Sequence, residues 1–225
     1  VCTARPDFFE SHPTWGAWQR DAVTIRLEPL DAAATTRLLD ELLAGEDLAE
    51  ATRRMVLDRC GGNPLWAQEF VRMLRDRSGD RGPLAIPDTV QAVVAARVDL
   101  LDAETKTVIQ AASTIGKSFW AGAVADMVDD APGLTESLRE LTRRELIRRE
   151  RASTVAGETE YAFTHSVVRD VAYGQTPRAV RAARHHRVAR WIERIAGDRI
   201  ADRAEVIAHH DAEALRLAAA TDLPD

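Results

Sequence analysis

Glu145-Leu146-Ile147-Arg148-Arg149-Glu150, then Thr159-Glu160-Tyr161-Ala162-Phe163-Thr164-His165 beyond a polar interval, is the stretch on which the fold turns. Leu146 and Ile147 lead into a strand, Gly157 supplies a turn, and Tyr161 and Phe163 alternate on a returning strand. Just upstream, Leu134, Leu138 and Leu141 recur at helical spacing with arginines on the outer side. Just downstream, Ser166 to Tyr173 reads as a helix. Helix, hairpin, helix is the pattern of a winged helix.

Outward from that centre the chain is helical on both sides. Asp88 and Gln91 have capping-box spacing, and Val90, Val93, Val94 and Val98 supply the apolar face of the helix that follows. A further helix is expected over Ala103 to Ile115, and a short one over Phe119 to Val128 that includes Trp120. Ser78 to Pro87 is polar and rich in glycine and proline, which marks a linker and a subdomain boundary. Before it, Asp31 is a suitable N-cap, and Leu38, Leu39, Leu42 and Leu43 form one apolar stripe that Gly45 ends. A second helix runs from Leu48 to Arg59, with Met55 and Val56 expected inward. Gly61-Gly62-Asn63-Pro64 breaks it. A third starts at Pro64, a residue suited to the first helical turn, and buries Trp66, Phe70, Met73 and Leu74.

The chain opens with strand signals. Val1-Cys2-Thr3-Ala4 reads as the tail of a buried strand. Val23, Ile25 and Leu27 alternate with Thr24 and Arg26 within a short strand over Ala22 to Leu27, which Pro29 ends. The loop between carries Trp15 and Trp18, expected in core or interdomain packing. At the other end, Ala179 to Ile195 and Arg203 to Leu217 form an alanine-rich helical pair, as in a bundle or the start of a TPR-like repeat array.

Composition narrows the function. Hydrophobic residues are 45% and charged residues 29% of the 225, a globular balance, and the apolar runs are too short to span a bilayer. With no secretory signal and two cysteines, Cys2 and Cys60, outside any metal-ligand spacing, the expected setting is reduced and cytoplasmic. A net charge of −6 argues against a strongly basic nucleic-acid binder, although Arg143, Arg144, Arg148, Arg149 and Arg151 cluster, as do Arg178, Arg181, Arg184, Arg187 and Arg190. Both clusters are expected to be solvated helix faces and one exposed strand, with a partner surface for an acidic protein face or nucleic acid as the alternative.

Several short patterns then occur in a known order. Val1-Cys2-Thr3-Ala4-Arg5-Pro6 resembles the sensor strand of STAND-type signalling ATPases, AAA/NB-ARC-like regulators. Gly62-Asn63-Pro64-Leu65 resembles their G-x-P motif, which opens a helix in the lid subdomain. Tyr161-Ala162-Phe163-Thr164-His165 resembles the winged-helix motif ending in a histidine, and Val167 to Tyr173 fits the helix after it. The nearest likeness is to bacterial regulators in which such a module follows a class III adenylate cyclase domain or precedes a LuxR-type DNA-binding domain. The resemblance implies that Arg5 senses the γ-phosphate, that Pro64, flanked by Gly62 and Asn63, packs on the adenine, and that His165 touches the β-phosphate of ADP in a closed, inactive form.

The phosphate-gripping half is not in this sequence: it contains no G-x-x-x-x-G-K-[ST] loop, whose backbone N–H groups and lysine hold the phosphates. No catalytic residue is assigned, and no ATP hydrolysis is expected of this chain alone. ATP or ADP with Mg²⁺ is expected only together with an upstream P-loop domain. The other implied partners are an output domain of the cyclase or LuxR type, an inducer, and further copies of the protein on activation. DNA is not an expected partner through this chain; a DNA-binding winged helix and a protein-interaction scaffold are the alternatives.

The expected fold class is mainly α. It divides into a small α/β remnant over 1–30, a helical lid over 31–85, a winged-helix domain over 86–175, and a repeat-like helical segment over 176–225. Two adjacent histidine pairs, His185-His186 and His209-His210, project about 100° apart on a helix, so neither converges on a metal. Ser166 beside His165 is not a nucleophile–base pair, since sequence neighbours do not make that geometry.

Overall fold

The computed structural model describes residues 2–4, 6–16, 23–46, 48–77, 86–128 and 133–220. Among these the chain is mainly helical with one small antiparallel sheet. The order is α1 (Pro6–Ser11), α2 (Ala32–Leu43), α3 (Glu50–Cys60), α4 (Pro64–Asp76), α5 (Val90–Asp99), α6 (Ala103–Ile115), β1 (Ser118–Trp120), α7 (Ala121–Met127), α8 (Leu134–Arg143), β2 (Ile147–Arg149), β3 (Glu160–Phe163), α9 (Ser166–Gly174), α10 (Arg178–Ala196) and α11 (Ala204–Ala219). A 3₁₀ segment, Gly197–Arg203, joins the last two.

Two cores organise these elements. The first gathers Leu39 and Leu43 of α2, Val56 and Cys60 of α3, and Trp66, Phe70 and Met73 of α4. The second runs through α5 to α11, around Val108, Ile109, Phe119, Leu141, Leu146, Val168 and Trp191. α5 lies between them: Val93 enters the first core, while Val94 and Val98 enter the second.

The sheet order is β1-β3-β2, with Phe119 opposite Tyr161 and Ile147 opposite Phe163. The hairpin β2–β3 is therefore as expected, but Trp120 is not helical. It ends β1, where its backbone pairs with Glu160. Its indole donates to the Glu160 carboxylate at 3.2 Å and stacks on Trp191. Three residues are too few to show a period in sequence, and the partner strand lies about forty positions away.

Other expectations are corrected. Residues 2–4 and 23–27 belong to no sheet; Val23, Ile25 and Leu27 are 83%, 77% and 89% exposed. Alternation makes a strand only when a neighbour accepts its ladder, and no described strand lies beside this one. Val1, Ala22 and Trp18 lie outside the described residues. Trp15 is exposed and meets Phe8 edge-on at 5.3 Å, so it packs locally and not into a core. Met55 is exposed, because the inward face of α3 is set by Val56 and Cys60, four apart.

Three capping details follow the same local chemistry. Asp31 accepts from Ala34 N at 2.7 Å, and Ala44 closes α2 in the left-handed region just before Gly45. Thr89, not Asp88, caps α5, accepting from Ala92 N at 3.1 Å. Asp88 instead pairs with Arg59 of α3.

Candidate functional site

The corner before α4 is built from four residues with distinct tasks. Gly61 and Gly62 both have positive φ, +54° and +73°. A Cβ on Gly62 would overlap the Leu30 carbonyl oxygen, and Leu30 N donates to Gly62 O at 2.9 Å. Glycine is required here both by conformation and by close approach. Asn63 caps α4, accepting from Leu65 N at 3.0 Å and Trp66 N at 3.3 Å. Pro64 occupies the first helical position with its ring exposed. The segment Val23–Leu30, which has no regular secondary structure, is thus tied at Leu30 to the turn before Pro64.

His165 stands at the N-cap of α9, half-buried, with no side-chain cap hydrogen bond. Its backbone carbonyl accepts from Val168 N at 3.1 Å, and Thr164 N donates to Leu146 O, which ties the helix start to the hairpin. Among the described residues its imidazole has no hydrogen-bond partner. Arg5 lies outside the described residues. The structure places Gly62, Asn63 and Pro64 together at one helix start and His165 at another, with no contact joining the two among the described residues.

Sequence reasoning missed the joint between the two cores. Arg97 of α5 and Glu69 of α4 form a fully buried ion pair. Arg97 Nε donates to Asp76 Oδ2 at 2.8 Å, and its Nη2 donates to the Arg144 carbonyl. Arg72 donates to Glu69 at 2.7 Å and pairs with Glu145 beyond α8. Arg144 pairs with Glu140 at 2.6 Å, so part of the arginine cluster expected in solvent is inside this joint. The signal was available: Arg97 sits on the Val93–Val94–Val98 stripe, where a charge demands a buried partner. A cavity of about 380 Å³ opens beside the joint, lined by Arg72, Arg75, Asp76, Arg143, Arg144 and Glu145. It lies near the far end of α4, roughly 12 Å or more from Pro64 along a helix rising 1.5 Å per residue, so it is separate from the Pro64 corner.

Among the described residues no three His, Cys, Asp or Glu side chains converge as metal ligands, those of the two histidine pairs included. The pairs meet across helices instead. His185 Nδ1 lies 2.8 Å from His210 Nδ1, and His185 Nε2 lies 2.9 Å from Tyr173 Oη. Burial is the main cause that lowers both imidazoles from 6.5 to about 4, so both are neutral near pH 7. Among the described residues no helix is long and apolar enough to cross a membrane.

No known protein family model matches the chain, and no curated protein matches it significantly.

Proposed function

We propose that this chain supplies the lid and winged-helix contacts of an ATP/ADP-dependent signalling switch of the STAND type, working with a P-loop domain. The carrying observation is the Pro64 corner. Gly62 holds Leu30 against the start of α4, and Pro64 beside it is exposed. A rigid apolar face at a helix start suits an adenine ring. The unpartnered His165 imidazole at the start of α9 supports a second contact, since a histidine ring N–H donates to phosphate oxygens.

Within this reading, α5 to α9 with the β1-β3-β2 sheet form the winged-helix domain, and α2 to α4 form the lid. Val23, Ile25 and Leu27 are exposed and belong to no described strand, which supports their joining the sheet of the P-loop domain. ADP clamped between the three parts would hold the closed form. An inducer would favour opening and exchange for ATP, a population shift driven by unequal contacts in the two states.

The DNA-binding alternative has less support. Arg139 and Arg143 on the exposed side of α8 pair with Glu136 and Glu140 of the same helix, and Glu145 just beyond α8 is engaged by Arg72. Guanidinium groups already matched by carboxylates are poorly placed to neutralise phosphates.

Calorimetry with ADP and ATP tests the proposal on this chain and on the chain joined to its P-loop domain. Binding only in the joined form is expected. In that form Pro64→Ala should weaken binding with little change in melting, and His165→Ala should speed ADP release. Equal binding by the joined wild type and both variants would remove Pro64 and His165 from the site, and no binding at all would sink the reading.

A further inference from the structure

The inward stripe of α10 begins with charge. Residues 181, 184, 188, 191 and 195 follow one another at three- and four-residue steps, so they share a face. Val188 and Trp191 of that stripe are buried in the second core, and Ile195 packs against it. The first two positions are Arg181 and Arg184.

Arg184 is only 8% exposed, and its buried Nη1 has no hydrogen-bond partner. Burial is the leading influence on its guanidinium and pushes its pKa down; the other is Arg187, a like charge that pushes the same way. Arg187 itself lies 3.9 Å from Asp126, which leaves that carboxylate to Arg187 and Arg194. Among the described residues Arg184 has no ion pair. One turn earlier, the buried Nε of Arg181 is also without a hydrogen-bond partner. The Arg181 guanidinium lies 4.7 Å from the centre of the Tyr173 ring, and Arg169 lies 5.6 Å from the same ring while donating to Ser113 O. The carboxylates acting nearby are engaged: Asp170 with Arg169, and Glu213 with Arg216.

A buried guanidinium is ordinarily retained only with a counter-charge, because the uncompensated ion carries a large desolvation cost. The other buried arginine among the described residues obeys this: Arg97 has Glu69 and Asp76. We infer that Arg184 and Arg181 form an anion-binding site at the start of α10, which takes a small oxyanion group, phosphate or carboxylate, on the two unpartnered guanidinium edges. The planar fork of arginine matches two oxygens of either group, and a pair three residues apart on a helix brackets one such group. This site is independent of the Pro64 corner. It lies on α10, against α9, and its occupation would brace α9 and α10 together.

The test uses the full chain at constant ionic strength, titrated with inorganic phosphate, sulfate and acetate. Saturable stabilisation is expected, read as a rise in Tm with ligand concentration. Phosphate and sulfate acting more strongly than acetate would assign a phosphate-type ligand; acetate acting as strongly would assign a carboxylate. Arg184→Met should behave in two opposite ways at once. It should raise the ligand-free Tm, because an unpaired buried charge is removed, and it should abolish the ligand-dependent rise. Arg184→Lys, which keeps the charge without the fork, should weaken binding by roughly tenfold or more. A structural arginine would instead give a lower ligand-free Tm in Arg184→Met. Arginine side-chain nitrogen NMR on the wild type needs no variant to fold: a saturating shift of the Arg184 signals supports the site. Signals that do not move, or a Tm rise unchanged in Arg184→Met, overturn it.

Discussion

Cys60 and Cys2 show how much a single side chain's behaviour depends on its surroundings. Cys60 is buried in the first core and its thiol donates to Asn63 O at 3.2 Å. Burial raises its pKa, partly offset by backbone hydrogen bonds from the Asn63 corner. Thiolate is the reactive form, so Cys60 is protected twice, by access and by protonation. Cys2 is exposed. One thiol is therefore expected to react rapidly with a disulfide reagent under native conditions, and the second only on unfolding; Cys2→Ser should remove the fast phase. Two fast phases in the native chain would contradict the burial of Cys60. The same corner was the most legible feature of the sequence. Glycine, asparagine and proline in that order have few other uses, and each now has an assigned task in turn, cap and first helical turn. Arg184 was illegible for the opposite reason: arginines at positions 178 to 190 read as a solvated face, and only the burial of one of them distinguishes it.

Helices with side-chain caps and long stripes were readable as elements: α2 and α4 begin at their sequence signals, Asp31 and the Asn63-Pro64 pair. β1 was not, because a three-residue strand is defined by its partner and not by its own period. The packing of α11 on α10 was equally hidden: two His-His pairs, each divergent within itself, supply one partner each to the His185–His210 contact. That contact makes the helix pair sensitive to acid. The groups facing it are Tyr173 and Arg169 of α9, Arg181 of α10, and His209 and Glu213 of α11. Since both imidazoles titrate near 4 when folded and near 6.5 when free, the unfolded chain takes up protons first as pH falls. Stability is full above about pH 6.5, declines between there and about pH 4, and is flat from this source below. The two rings share one contact and titrate as a unit. The expected loss over that window is about 3 kcal/mol or more, from the size of the shift. Denaturant midpoints measured from pH 7.5 to 4.5 check it. His210→Leu should flatten the slope substantially; an unchanged slope would place the acid sensitivity elsewhere.

At the scale of the molecule, the question is whether two cores behave as one. α5 contributes to both, and the joint of Glu69, Arg72, Asp76, Arg97 and Arg144 lies across the seam. A buried ion pair adds little net stability compared with an apolar pair of equal volume, yet removing one partner strands the other. The joint therefore acts mainly as a register device: it is satisfied only when α4, α5 and the end of α8 meet in this arrangement. Arg97→Met leaves Glu69 buried without its main partner and should cost about 3–5 kcal/mol. The loss should fall unequally, because α2 to α4 form the smaller core and depend on the joint for their hold on the rest. Scanning calorimetry is expected to show one cooperative transition for the wild type, and in Arg97→Met an earlier transition belonging to α2 to α4. Glu69→Met added to Arg97→Met should recover much of the lost stability, since an apolar pair then fills the seam, but it should not restore a single sharp transition. If the double variant melts as cooperatively as the wild type, apolar packing through Val93 and Val94 is what couples the two cores, and the ion pair only occupies the seam.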